Sequence, residues 1–112
     1  MPAHNEEANI EAMLETALQV FNPITPDLEV IVVADGSRDR TPDLVCAFAA
    51  KHPNVRLVVH PKNLGYGAAL FSGFMAARKE WIFMTDSDRQ FDLTQVHRLL
   101  PHATQADLVI GY

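Results

Sequence analysis

Cysteine is nearly absent. Cys46 is the one thiol in 112 residues, so no intrachain disulfide can form and the chain must rely on a packed core. Cys46 lies in the apolar stretch Leu44-Val45-Cys46-Ala47-Phe48 and reads as a small core residue, not a nucleophile. Basic residues are also scarce, nine against 14 acidic ones for a net charge of −5. That balance argues against a nucleic-acid partner held by charge, but leaves room for a cleft that binds phosphates through a metal. No apolar run nears the roughly 20 residues that cross a bilayer. The opening Met1–Glu7 lacks the basic-then-apolar order of a secretory leader. Repeats and low-complexity segments are missing, and the seven prolines are scattered rather than gathered in a linker. With 48% hydrophobic and 21% charged residues, disorder is not the default, and the length suits one small domain over 1–112.

Periodicity places the elements. Ile10, Met13, Leu14, Ala17, Leu18 and Phe21 share one face of a helix, with Asn5 as its expected cap, Glu6 and Glu7 at its positive end, and Pro23 and Pro26 beyond it. Leu28–Ala34 carries the run Val30-Ile31-Val32-Val33, which predicts a strand buried on both faces. Thr41-Pro42-Asp43 reads as a cap, a first-turn proline and a first-turn acid, opening a helix that ends near His52-Pro53. Val55–His60 is a second expected strand, Pro61–Gly67 a loop, Ala68–Lys79 a helix and Trp81–Thr85 a third strand. Asp92 is expected to cap a helix bearing Leu93, Val96 and Leu100, and Leu108–Ile110 to begin a fourth strand. This alternation predicts an α/β fold with a mostly parallel sheet. Ligands of such sheets bind beyond the carboxyl ends of the strands, where Asp35-Gly36-Ser37 and Asp86-Ser87-Asp88 both fall.

Asp86 and Asp88 are the sharpest chemical signal. Two carboxylates this close repel each other unless a cation lies between them, and oxygen ligands suit Mg2+ or Mn2+, with the Gln90 amide as a further candidate. Taken alone, Asp-x-Asp is more often a solvated turn. Asp35-Gly36-Ser37 is equally open: a turn with caps, or a carboxylate offered to a ligand with Gly36 permitting close approach. Pro61–Gly67 could present N–H groups to an anion, but it is neither a P-loop nor a dinucleotide fingerprint. His4, His52, His60, His97 and His102 have no metal-ligand spacing, and the last four read as surface or helix-end residues. Ser37 and Ser72 lack the strand-turn setting of a nucleophile elbow.

Five motifs stand in order: Pro2-Ala3-His4-Asn5-Glu6-Glu7, Val32-Val33-Ala34-Asp35-Gly36-Ser37-x-Asp39-x-Thr41, Asn63-x-Gly65-x-Gly67-x-Ala69, Asp86-Ser87-Asp88-Arg89-Gln90 and Asp107-Leu108-Val109-Ile110-Gly111. Together they resemble the family 2 glycosyltransferases of GT-A fold, nearest the branch that adds sugars to dolichyl or other polyprenyl phosphates. The resemblance implies a UDP- or GDP-linked sugar donor, a divalent Mg2+ or Mn2+, and an acceptor such as a polyprenyl phosphate at a membrane. It implies a cytoplasmic location or one at the cytoplasmic membrane face. It puts Pro2, His4 and Glu6 at the nucleotide, and Val33 and Asp35 at the base and ribose. Asp86, Ser87, Asp88 and Gln90 fall at the ribose, diphosphate and metal, with the metal itself on Asp86, Asp88 and Gln90. His4 stands where the family usually has tyrosine, and Ala34 replaces the first aspartate of the usual Asp-Asp-Gly-Ser. The family also has an apolar strand before the first motif, and a catalytic base and acceptor segments after the last. The chain is therefore expected to be a fragment with its base beyond Tyr112, short of stability and of turnover. A nucleotidyltransferase and a non-catalytic nucleotide-sugar-binding module remain the alternatives.

Overall fold

The computed structural model describes residues 1–111. Its elements run β1 (Pro2–Ala3), α1 (Ile10–Phe21), β2 (Val30–Asp35), α2 (Thr41–Lys51), β3 (Val55–His60), α3 (Tyr66–Ala76), a 3-10 turn (Leu93–Gln95) and α4 (Val96–Ala103). The sheet has the order β1-β2-β3 and both pairings are parallel. β2 is therefore central, as its unbroken apolar run requires. Val30 and Val32 turn to one face, where Ile10, Leu14 and Leu18 of α1 and Val45 of α2 close the core. Val33 turns to the other face, beneath α3, where a side chain added at Gly73 would lie 3.5 Å from it. The register pairs Val30 with Val55 and Asp35 with His60, so both polar strand ends face α3.

Asn5 does not cap α1. It has φ +53 and works across the loops instead, its side-chain oxygen accepting from Arg38 N at 2.9 Å and its N–H donating to Ser37 Oγ at 3.1 Å. Two further bonds join the same loops, Glu6 N to Thr41 Oγ1 (2.9 Å) and Glu7 N to Asp39 Oδ2 (3.0 Å). At α2 the capping carboxylate is Asp39, which accepts from both N and Oγ1 of Thr41. Cys46 is exposed, not buried. Val45 takes the inward position on α2, and the next residue lies about 100° around the helix. α3 starts at Tyr66 and ends at Ala76, short of Lys79, because the Glu29 carboxylate takes Arg78 N at 2.6 Å and Arg56 takes the Ala76 carbonyl at 2.6 Å.

Two expected strands do not form. Trp81–Thr85 has no ladder partner, and Trp81, Ile82, Phe83 and Met84 are each at least 40% exposed. The segment runs beside β1, since Ser87 Oγ donates to the Pro2 carbonyl at 2.8 Å. But β1 is two residues long and Pro2 has no N–H, so it presents almost no edge to pair with. Leu108–Ile110 is likewise outside the sheet, with Leu108 and Ile110 exposed.

Gly36 tests the joint between β2 and the loop after β3. Its φ is +66, and an added Cβ would meet Asn63 N at 2.1 Å and the Lys62 carbonyl carbon at 2.4 Å. The φ alone costs another residue about 1–2 kcal/mol. Gly36→Ala should therefore lower the melting temperature by several degrees. Gly67→Ala, where nothing lies within 4 Å, should leave it unchanged or raise it. Equal melting of the two variants would contradict this packing.

Candidate functional site

A cavity of about 370 Å³ opens at the carboxyl edge of the sheet. Three strand ends and the Asp-x-Asp segment converge on it. From β1 and the loop after it come Pro2, His4 and Glu6, and from β2 comes Asp35. Asn63 and Tyr66 come from the segment after β3, and Asp86, Ser87 and Asp88 complete the wall. Of the residues singled out in the sequence, the structure brings these seven together: Pro2, His4, Glu6, Asp35, Asp86, Ser87 and Asp88. It leaves out Val33, which is buried under α3, and Gln90, whose exposed side chain lies off the cavity wall. The Gln90 backbone N–H instead donates to Asp88 Oδ1 at 3.1 Å.

Asp35 is 4% exposed, and its carboxylate is tied down by three donors. Oδ1 accepts from His60 Nδ1 (2.8 Å) and Leu64 N (2.8 Å), and Oδ2 from Gly65 N (3.0 Å). Burial pushes this carboxyl up, but the Leu64 N–H, His60 and the Gly65 N–H together outweigh it and hold it below the ordinary range. The Asp35 carbonyl accepts from His4 Nδ1 at 2.7 Å. That bond fixes the imidazole of His4 at the cavity with its other nitrogen facing Asn5 Nδ2 at 3.3 Å.

Ser87 is buried, and its bond to Pro2 pins the middle of Asp86-Ser87-Asp88 against β1. Strand-like alternation then leaves the two flanking carboxylates toward the cavity. Asp86 Oδ1 accepts from Tyr66 Oη at 2.9 Å. The Tyr66 hydroxyl is raised above its usual value, first by that hydrogen bond, then by burial and by the charges of Asp86 and Asp88. Arg89, at φ +64, turns the chain sharply after Asp88. Among the described residues no cluster of three His, Cys, Asp or Glu side chains stands ready for a metal. Two carboxylates with one oxygen each left over suit a hard cation that completes its shell with waters and phosphate oxygens, so the donor set fits Mg2+ or Mn2+.

Three residues at the site were not singled out by side chain in the sequence, although Asn63 and Tyr66 lie in the Pro61–Gly67 loop read there as a possible anion site. His60 is buried, not a surface residue, and its ring bridges Asp35 and Ser72 Oγ at 2.8 Å each. Asn63 belongs to a loop whose path depends on Asp35, and Tyr66 opens α3 directly after that loop. For His60 a signal existed, its place at the carboxyl end of a strand, but only the register with β2 gives it meaning.

The sequence profile of Glycosyl transferase family 2 matches residues 1–111. The chain belongs to glycosyl transferase family 2. A dolichyl-phosphate beta-glucosyltransferase of Trichomonas vaginalis is 41% identical over 93 residues, covering 79% of this chain and 28% of that protein. An undecaprenyl-phosphate 4-deoxy-4-formamido-L-arabinose transferase of Pseudomonas aeruginosa is 31% identical over 112 residues, covering 99% of this chain and 33% of the relative. Among solved structures, a mannosyltransferase from Pyrobaculum calidifontis in complex with GDP-Man and Mn2+ superposes with a TM-score of 0.74 at 31% identity. That match covers 86% of this chain and 28% of the other. The fold is accordingly the GT-A fold, and this family 2 chain spans about a third or less of the length of these relatives.

The buried Asp35 and the half-buried Asp39 set an acid limit. Asp39 behaves as Asp35 does: burial raises it, while the Thr41 hydroxyl and N–H and the Glu7 N–H hold it low. A carboxyl whose folded value lies below its unfolded one contributes stability at neutral pH. That contribution is lost as pH falls below about 4 toward the folded value, because the unfolded chain binds the proton more readily. Thermal melts should therefore drop steeply below about pH 4. Asp35→Asn should melt lower at pH 7 and show a shallower acid slope. An unchanged slope in Asp35→Asn would remove Asp35 from this role.

Proposed function

We propose that this chain is the donor-binding part of a metal-dependent glycosyltransferase. The enzyme transfers a sugar from a UDP- or GDP-linked donor to an acceptor hydroxyl or, by the kinship above, a polyprenyl phosphate. The observation that carries this reading is one cavity holding both carboxylates of Asp86-Ser87-Asp88 beside the anchored Asp35 and His4. Kinship to a dolichyl-phosphate and an undecaprenyl-phosphate sugar transferase supports the lipid-phosphate class, and the GDP-Man and Mn2+ of the structural neighbour support the donor and the cation.

In this reading each side chain has a defined task. Asp86 and Asp88 hold the cation, which when bound supplies positive charge against the charge that grows on the leaving diphosphate. Ser87 holds those carboxylates in place through Pro2. The His4 ring offers a flat face to the base, and Asp35 offers a charged acceptor to an N–H or hydroxyl of the nucleoside. Glu6, whose N–H is held by Thr41, adds a second carboxylate on the nucleotide side. In this reading the catalytic base and the acceptor site lie beyond Tyr112. None of the helices in the described residues is long and apolar enough to cross a membrane. A lipid acceptor would be met at the cytoplasmic membrane face.

Calorimetric titration with UDP- and GDP-sugars tests this. One of them should bind in Mn2+ and lose affinity in EDTA. Asp88→Ala should abolish the metal-dependent part, whereas Asp92→Ala, which removes the cap on Thr94 N and the side-chain bonds from Thr94 and Gln95 away from the cavity, should cost a little stability and leave binding intact. Equal donor affinity in Mn2+ and in EDTA would contradict the reading.

A further inference from the structure

His60 is a buried ionisable side chain for which the proposed function has no use. In-register pairing of β2 and β3 sets it opposite Asp35, on the face covered by α3. Its Nδ1 lies 2.8 Å from Asp35 Oδ1 and its Nε2 lies 2.8 Å from Ser72 Oγ. An ionised carboxylate only accepts, so Nδ1 carries the proton. A neutral ring then accepts the Ser72 hydroxyl at Nε2. Asp-His-Ser order suggests a nucleophile, but Ser72 sits mid-helix in α3, facing the sheet and off the cavity wall.

The carboxylate has about four acceptor positions. His60 Nδ1 and Leu64 N fill the two on Oδ1, and Gly65 N fills one on Oδ2. Among the described residues nothing fills the fourth, and Asp35 lines the cavity. Rotation about the terminal torsion of an aspartate is soft. What aims the remaining position on Oδ2 is therefore the set of bonds that hold Oδ1. Two of the three donors are backbone N–H groups of the loop, whose own path depends on the carboxylate. His60 is the donor fixed independently, by β3 on one side and by Ser72 of α3 on the other.

We infer that His60 is a positioning residue of the nucleotide site, which aims Asp35 Oδ2 at the bound nucleoside and holds the Asn63–Gly65 loop through the same carboxylate. This rests on the proposed function. His60 touches no nucleotide; it acts through Asp35.

The test measures binding of free UDP and GDP in Mn2+ to wild type, His60→Leu, His60→Asn and Cys46→Ser, the last a control on the exposed side of α2. It also records the ring 15N signals of His60 as nucleotide is added. His60→Leu should weaken the nucleoside diphosphate by roughly tenfold or more, the scale of a charged hydrogen bond. His60→Asn, which keeps a short-reach N–H donor, should recover most of that loss. The His60 ring signals should shift on nucleotide binding, and Cys46→Ser should bind as wild type does. A folded His60→Leu with wild-type affinity overturns the inference. So does a folded His60→Asn that binds no better than His60→Leu, or a His60 signal that nucleotide leaves unmoved. Should His60→Leu fail to fold, the direct comparison of His60→Asn with wild type and the ring signals decide. Wild type that binds neither nucleotide overturns the proposed function and this inference together.

Discussion

A negative charge buried at the end of the central strand governs this structure. An ionised carboxylate out of water is costly unless hydrogen-bond donors replace the water, and Asp35 is almost wholly enclosed. Its donors come from outside β2: the ring at the end of β3 and two successive N–H groups of the following loop. Satisfying the charge therefore fixes the loop, and the loop can approach only because Gly36 has no side chain. The Asp35 carbonyl meanwhile fixes His4 beyond β1. One residue thus sets the relative positions of three strand ends, and the cavity is the space left between them.

The opposite flank is held differently. The β1–α1 and β2–α2 loops are laced by backbone N–H groups on side-chain oxygens, and Ser87 ties the Asp-x-Asp segment to β1 through one hydrogen bond. Beyond that tie the chain runs through Trp81–Met84 with its apolar side chains open to solvent. An apolar groove of about 600 Å³ lies beneath them, reaching Phe21, Phe74 and Leu99. The site does not depend on that groove, since Asp86 and Asp88 are placed by Ser87 and Tyr66.

The sequence is most informative where structure is local. The spacing of Ile10, Met13, Leu14, Ala17 and Leu18 marks α1 because helical periodicity needs no partner. Val55–His60 is legible for a similar reason, a short apolar run bounded by turns. Trp81–Thr85 is also a short apolar run and forms no strand, because a ladder is a property of two segments and β1 presents almost no edge. Asn5 has a good cap residue's chemistry but is drawn into the loop lacing, and Cys46 falls one step around the helix from the buried face. At the site, the strand-end aspartates follow from parallel topology. His60, Asn63 and Tyr66 do not, since their roles depend on register and on a loop path set by a distant carboxylate. Val33 reaches the site only through the resemblance and Gln90 also through its amide oxygen, and neither lines the cavity.

The most direct test of the central claim is where the cation and the nucleotide sit. Crystals grown with Mn2+ and a nucleoside diphosphate, measured at the manganese absorption edge, would locate both. The account expects the anomalous signal at the carboxylates of Asp86 and Asp88, with the base against His4 and a nucleoside hydrogen bond to Asp35. Manganese away from both aspartates, or a nucleotide seated in the apolar groove beneath Trp81–Met84, would contradict it.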